Sequence, residues 1–113
     1  MILIDAALDE GGLLKSCRIE GHAGSGPRGY DIVCAAVSVL ARTAVVTLSG
    51  REGISVRGEA PERGKFWLET GCVESGRVFL SAVGAFLLEG LGSVAREYPD
   101  CCTMKIYTER RNK

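Results

Sequence analysis

The feature that most constrains the fold is an abrupt change of pattern at Asp31. The eight residues before it, Ala23–Tyr30, include four glycines or prolines, a density that no regular element survives. From Ile32 to Leu48 an apolar run follows with no turn signal inside it, and its length favours a buried helix over strands. Gly50 suits the C-terminal stop of that helix. We therefore expect a loop over residues 23–30 and a helix over residues 31–49.

Strand-like runs occur in pairs on either side of this helix. Within each run apolar residues alternate with polar ones, and short turns separate the two runs of a pair. The pattern predicts the order β-β-α-β-β-α-β, with strands at Met1–Leu8, Leu13–Glu20, Gly53–Glu59, Gly64–Thr70 and Cys102–Tyr107, and the second helix at Arg77–Tyr98. Ala60–Gly64 is expected to form the second hairpin turn, and Gly71–Gly76 a connector. Hairpins between helices indicate one α+β domain over residues 1–113, with two layers and a mostly antiparallel sheet covered by two helices.

The second helix carries a predicted apolar stripe. Its members recur at helical spacing and are Phe79, Val83, Phe86, Leu87, Leu91 and Val94. Three glycines on the same segment, Gly84, Gly90 and Gly92, each weaken a helix by about 1 kcal/mol relative to alanine. Their presence therefore predicts close packing against a neighbouring element.

Composition narrows the classes of function. Fourteen basic and fourteen acidic residues cancel, so no net field attracts nucleic acid or an anionic membrane. The N-terminus lacks the basic segment and cleavage site of a signal peptide. The apolar run contains Arg42 and is expected to fall short of a membrane span. We expect a cytoplasmic protein with no direct nucleic-acid contact and no membrane contact.

The chain has five cysteines and one histidine, with no Cys-x-x-Cys pair. An odd number of cysteines in a cytosolic chain predicts no structural disulfide, and a single histidine with no close cysteine spacing predicts no zinc site. No phosphate loop or dinucleotide motif is present, so no cofactor or metal is expected. Adjacent strand residues point to opposite faces, so of Cys101 and Cys102 one is expected to be packed and the other exposed.

Cys34 is the candidate nucleophile. It would be the third residue of the first helix, where free amides and the helix dipole favour a thiolate. His22, at the end of the second strand, would be the general base and later the proton donor. The alternatives are ordinary: a lone cysteine in an apolar helix is more often a small core residue, and a lone histidine is usually a surface or capping residue.

Each of the residues near Cys34 and His22 has two possible roles. Asp31 either caps the helix or orients His22. Ser38, one turn after Cys34, either hydrogen-bonds within the site or bonds back to the carbonyl of Cys34. Backbone amides at the helix start, including that of Cys34, could hold an oxyanion. The glycine-rich segment is either a substrate loop or a plain connector; its members are Gly24, Ser25, Gly26, Pro27, Arg28, Gly29 and Tyr30.

Two segments, Gly21-His22-Ala23 and Gly29-Tyr30-Asp31-Ile32-Val33-Cys34-Ala35-Ala36-Val37-Ser38, resemble the ribosomal-processing cysteine protease Prp family. The resemblance extends over essentially the whole chain. It implies a small bacterial cytoplasmic endopeptidase that removes a short N-terminal extension, ending near aromatic residues, from a large-subunit ribosomal protein. His22 and Cys34 match the dyad of the family, and Gly21, Asp31 and Ser38 match the residues that shape its site.

The resemblance also implies a homodimer and a loop that moves when substrate binds. In this chain the loop, with Ser25-Gly26-Pro27-Arg28, is less aromatic and less acidic than the family pattern, so the resemblance carries over the chemistry but not the substrate preference. The implied chemistry is acyl transfer, in which the Cys34 thiolate attacks the scissile carbonyl and His22 protonates the leaving amine. Two alternatives remain open: a non-catalytic ribosome-assembly or peptide-binding factor on the same fold, and a redox thiol protein, for which no resolving cysteine is close in sequence.

Overall fold

The computed structural model describes residues 1–21, 30–62 and 64–109. Its helices and strands are β1 (Ile2–Leu8), β2 (Leu14–Glu20), α1 (Tyr30–Leu48), β3 (Ile54–Glu62), β4 (Lys65–Cys72), α2 (Arg77–Glu97) and β5 (Cys102–Thr108), with a single 3₁₀ turn at Glu74–Gly76. The predicted order β-β-α-β-β-α-β and the α+β class are thereby confirmed.

The five strands form one sheet in the order β3-β4-β2-β1-β5. Three of its four pairings are antiparallel, and β5 lies parallel to β1, with Ile2 opposite Cys102 and Leu8 opposite Thr108. Both helices bury one face in the core that covers this sheet; the buried helical residues are Val33, Val37, Ala41, Ala44 and Leu48 of α1 and Leu80, Gly84, Leu87 and Leu91 of α2. The predicted two-layer arrangement is therefore present.

The second hairpin is longer than the sequence indicated. β3 continues to Glu62 through an irregularity after Glu59, so the predicted turn over Ala60–Gly64 is wrong. Pro61 does not end the strand because β3 is an edge strand, where a missing backbone N–H is tolerated. β4 likewise continues to Cys72, and a 3₁₀ turn follows in place of the predicted connector.

The first hairpin contains a bulge that the alternation had hidden. Ala7 pairs with Ser16 and Leu8 pairs with Leu14, so Lys15 is an extra residue on β2. A bulge of this kind shifts the alternation by one position. Leu14 is therefore buried and Lys15 exposed, although regular alternation from Ile19 and Cys17 would place Lys15 on the buried face.

The apolar face of α2 was predicted only in part. Leu87 and Leu91 are buried, but Phe86 is 74% exposed, so its assignment to the core is wrong. The buried stripe passes through Gly84, where an added Cβ would come within 3.1 Å of the Leu14 Cβ. A glycine that makes room for a neighbour carries no hydrophobic signal of its own. Phe79, Val83 and Val94 of the predicted stripe pack against the core, so Phe86 is the member that was misplaced. The predicted close packing at glycine is confirmed here.

Both helices pass a length and composition test for crossing a membrane, over Asp31–Leu48 and Glu74–Glu97. The expectation that the first run falls short of a span is therefore wrong on that criterion. In the fold each helix buries a face against the sheet. A core helix passes the same test, so hydropathy alone does not distinguish a core helix from a membrane-spanning one.

Two adjacent residues of α2 provide a matched stability test. Leu87→Ala should lower the free energy of unfolding by about 2–5 kcal/mol because it leaves a cavity in the core. Phe86→Ala should change it by less than about 0.5 kcal/mol at protein concentrations where the chain is a single copy, because the ring is exposed there. Urea denaturation followed by circular dichroism measures both. Equal losses for the two variants would contradict the packing described for α2.

Candidate active site

Cys34 is held in place by the core on either side of it. Val33, its predecessor, is fully buried, and Val37, one turn later, is 2% exposed. Both anchor the first turns of α1 against the sheet. Cys34 itself is half-buried and packs against the edge of that core. Its position is thus set by two of the best-packed side chains in the fold, while part of its surface remains open.

The open side of Cys34 faces a pocket of about 720 Å³ between α1 and one end of the sheet. The helix contributes Asp31, Cys34, Ser38 and Arg42 to its lining; Gly21, Gly64, Lys65 and Phe66 come from the region where β2 ends and β4 begins. Apolar side chains, among them Ile2, Ile19 and Val37, complete the lining. The pocket is large enough to bury several peptide side chains.

Four of the predicted site residues meet in this pocket: Gly21, Asp31, Cys34 and Ser38. The Gly21 amide donates a 2.8 Å hydrogen bond to the Gly64 carbonyl, which ties the end of β2 to the turn of the second hairpin. His22 and residues 23–29 of the predicted substrate loop lie outside the described residues. Tyr30, counted with that loop, is the first residue of α1.

The start of α1 changes two details of the predicted site. Because the helix begins at Tyr30, Asp31 lies within its first turn rather than before it, and Cys34 is its fifth residue. The four amides without a helical acceptor are the first four of a helix, so the amide of Cys34 is not one of them. The expectation that this amide helps to hold an oxyanion is therefore wrong.

Ser38 lies one helical turn beyond Cys34 and is exposed. In the described part of the chain its hydroxyl makes no hydrogen bond, so the bond back to the carbonyl of Cys34 is not formed. Its hydroxyl lines the pocket instead. Of the two roles considered for Ser38, this geometry favours contact with a bound molecule.

None of the remaining cysteines is in a disulfide, and three of them are buried. Cys101 and Cys102 are each 2% exposed, so the expectation of one packed and one exposed is wrong. The reason is that Cys101 precedes β5 and does not follow strand alternation. Burial raises the pKa of Cys102, with added repulsion from Cys101 and Cys34. Cys34 therefore has another thiol close by in space, although none is close in sequence.

Burial also raises the pKa of Cys17 to about 12, with a smaller contribution from the carboxylate of Asp5. Within the described ranges no group of three or more histidine, cysteine, aspartate or glutamate side chains is placed to hold a metal ion.

A half-buried thiol near the start of a helix, open to a peptide-sized pocket, is the arrangement of a thiol-dependent hydrolase.

The sequence matches the family model of the cysteine protease Prp over residues 1–103. The chain belongs to the cysteine protease Prp family, and its activity class is that of a cysteine protease. No curated protein matches it.

Solved structures share the fold over nearly the whole chain. SMU.848 from Streptococcus mutans is 29% identical, with a TM-score of 0.78 over 96% of each chain. The essential ribosomal processing protease Prp from S. aureus, in complex with a substrate peptide, is 21% identical, with a TM-score of 0.80 over 94% of this chain and 99% of that one. A second structure of the S. aureus protease, with a covalently linked product peptide, is 22% identical, with a TM-score of 0.76.

Two residues of the pocket lining, Arg42 and Phe66, were not among the predicted site residues. In the sequence Arg42 stands out only as an interruption of the apolar run, and Phe66 lies in a strand-like run far from Cys34. Helical periodicity contained a signal for Arg42, since it lies two turns after Cys34 and one turn after Ser38. Lys65 and Phe66 come from a distant hairpin, and no local pattern relates them to Cys34.

Thiol accessibility can be measured directly. At pH 8, iodoacetamide should modify the half-buried Cys34 and Cys72 and leave Cys17, Cys101 and Cys102 unmodified. Only about one Cys17 thiol in 10⁴ is ionised at pH 8 when its pKa is about 12. Peptide mapping by mass spectrometry identifies the sites, and Cys72→Ser isolates the signal of Cys34. Labelling of Cys102 as fast as that of Cys34 would contradict the burial described here.

Proposed function

We propose that this chain is an endopeptidase that removes a short N-terminal extension from a bacterial large-subunit ribosomal protein. The observation that carries the proposal is the free thiol of Cys34, half-buried in a pocket of about 720 Å³, in a member of a cysteine protease family. The S. aureus protein with the same fold is named as a ribosomal processing protease, which supports the same class of substrate here.

The lining of the pocket suits a peptide with apolar side chains next to the cleaved bond. Ile2, Ile19, Val37 and Phe66 supply apolar surface close to Cys34. Burying an aromatic or aliphatic side chain there would contribute about 1.5–3 kcal/mol to binding. This agrees with an extension that ends near aromatic residues.

The proposed reaction is acyl transfer with Cys34 and His22 as the catalytic dyad. The Cys34 sulfur attacks the scissile carbonyl carbon, and His22 takes up the thiol proton and gives it to the leaving amine. The C–N bond breaks and leaves a thioester on Cys34, which a water molecule activated by His22 hydrolyses. Gly21, to which His22 is covalently joined, lines the same pocket as Cys34, which supports this pairing.

Asp31 and Ser38 are proposed to shape the site beside this dyad. Asp31 lies one turn before Cys34 on the face of α1 that lines the pocket, where a carboxylate can orient an imidazole. Ser38 places a hydroxyl on the other side of the thiol. The substrate loop over residues 24–30 is proposed to contact the bound peptide.

The protein is further proposed to act in the cytoplasm as a homodimer of single-domain chains, without direct contact to nucleic acid or membrane. Exposed apolar side chains on both helices support self-association; they include Ile32, Val39, Val46, Val78 and Phe86. Net charge is zero, so no overall electrostatic field favours an anionic partner.

Cleavage of the ribosomal protein is the decisive prediction. Incubating the purified chain with the ribosomal protein that carries its native extension should give one defined cut, read by mass spectrometry. Cys34→Ala should abolish the cut because the nucleophile is lost. His22→Ala should slow it by about 10²–10⁴-fold, the usual contribution of a general base.

Cys72→Ala is the matched control for these variants, since it removes a half-buried thiol outside the pocket, and it should cut at the wild-type rate. Cleavage retained by Cys34→Ala would contradict the proposal. Binding of the ribosomal protein without a cut by the wild-type chain would favour the assembly-factor alternative.

Self-association has its own measurement. Sedimentation velocity of the purified chain should give the mass of two copies, near twice 12.0 kDa, at micromolar concentration. Replacing Phe86 with Asp would place a charge among the exposed apolar side chains and should shift the species towards one copy. A wild-type species of one copy at every concentration would contradict the homodimer.

A further inference from the structure

All the side chains of α1 that line the pocket lie on one face of the helix. The polar ones run from a negative side chain near the start of the helix to a positive one two turns beyond Cys34. Asp31, Cys34, Ser38 and Arg42 follow one another at spacings of three or four residues, so they lie in one row along the helix. The carboxylate of Asp31 is at one end of the row, next to the thiol. The guanidinium of Arg42 is at the other end, two turns away from Cys34.

Arg42 has no partner for its charge in the part of the chain that the structure describes. No carboxylate lies within 4.0 Å of its guanidinium, and it makes no hydrogen bond there. By contrast, Arg18, Arg57 and Arg96 each face a carboxylate within that distance. A guanidinium offers five N–H donors and matches carboxylate geometry. Arg42 therefore presents unused donors at the edge of the pocket.

Helix geometry gives the distance between Arg42 and the nucleophile. Eight residues separate Arg42 from Cys34, which corresponds to about 12 Å along α1. An extended peptide advances about 3.3 Å per residue. A peptide that lies along α1 with its scissile bond at Cys34 therefore places its third or fourth residue from that bond beside Arg42.

We propose that Arg42 is a specificity-determining residue, which binds a side-chain oxygen of the substrate three or four residues from the scissile bond. The inference rests on the proposed peptidase function of the same pocket. A carboxylate suits this position best because it can accept two parallel hydrogen bonds from the guanidinium. An amide oxygen of Asn or Gln accepts one or two. A lysine at this position is repelled.

The opposite wall of the pocket reinforces this selection. Lys65, the first residue of β4, lines the pocket together with Arg42. Its register partner across the sheet is Glu20 of β2, whose carboxylate lies 3.9 Å from the guanidinium of Arg18. Lys65 and Arg42 thus both contribute positive charge to the lining, and Phe66 next to Lys65 supplies apolar contact.

A peptide library with one randomised position at a time tests the proposal. Each peptide spans the cleavage site of the ribosomal protein, and mass spectrometry measures the rate of cleavage. At one position, three or four residues from the cut, the wild-type chain should prefer Asp and Glu over Lys by roughly tenfold, with Asn and Gln between them. Arg42→Ala should abolish that preference, and Arg42→Glu should invert it in favour of Lys.

Arg96→Ala is the control, because it removes an equal charge from a 71% exposed side chain on α2; it should keep the wild-type preference. Arg42→Gln, checked by circular dichroism, provides a second folded variant without the charge. A wild-type chain that cleaves with no preference at these positions, or a preference that survives in Arg42→Ala, overturns the role of Arg42 alone. Failure to cleave any peptide overturns the proposed function as well.

Discussion

The packing of α1 against the sheet is the interaction on which the rest of the structure depends. Val33, Val37, Ala41, Ala44 and Leu48 are all at most 5% exposed, and each buried Val or Leu side chain contributes about 1.5–3 kcal/mol. Catalysis requires the opposite of burial, a thiol that the substrate can reach. Cys34 provides it from the side of the same helix, where it is only half-buried. Stability and reactivity are therefore divided between two faces of one element, and movement of that element would change both.

The sequence predicts the architecture well because its strongest signals are local. Alternating strands, a glycine-rich break and a helical run ending at Gly50, whose φ is +75°, all depend on neighbouring residues. The errors arise where a distant part of the chain decides the outcome. Phe86 was placed on the apolar face of α2 because of its hydrophobicity, but the face of α2 that packs against the rest of the fold passes through Gly84, which lies against Leu14.

In the candidate site, too, local sequence patterns predicted some features, and contacts between distant residues decided the others. Cys34, Asp31 and Ser38 could be identified from spacing on a single helix, and Arg42 could have been found in the same way. The electrostatic effect of Cys34 on Cys102 could not, because the two are 68 residues apart and only the fold brings them to the same core. His22 lies outside the described residues, so its place in the site remains a prediction that the cleavage experiment tests.

The parallel pairing of β1 with β5 has a consequence for the order of events during synthesis. Ile2, which lines the pocket, lies opposite Cys102 in the sheet, so β1 has no partner on this side until β5, about a hundred residues later, has been translated. Contacts between such distant residues form slowly because a long loop must close. A nascent chain that still lacks β5 leaves one edge of β1 unpaired and the support behind the pocket unfinished. Translation itself thus delays the completed pocket until β5 has left the ribosome.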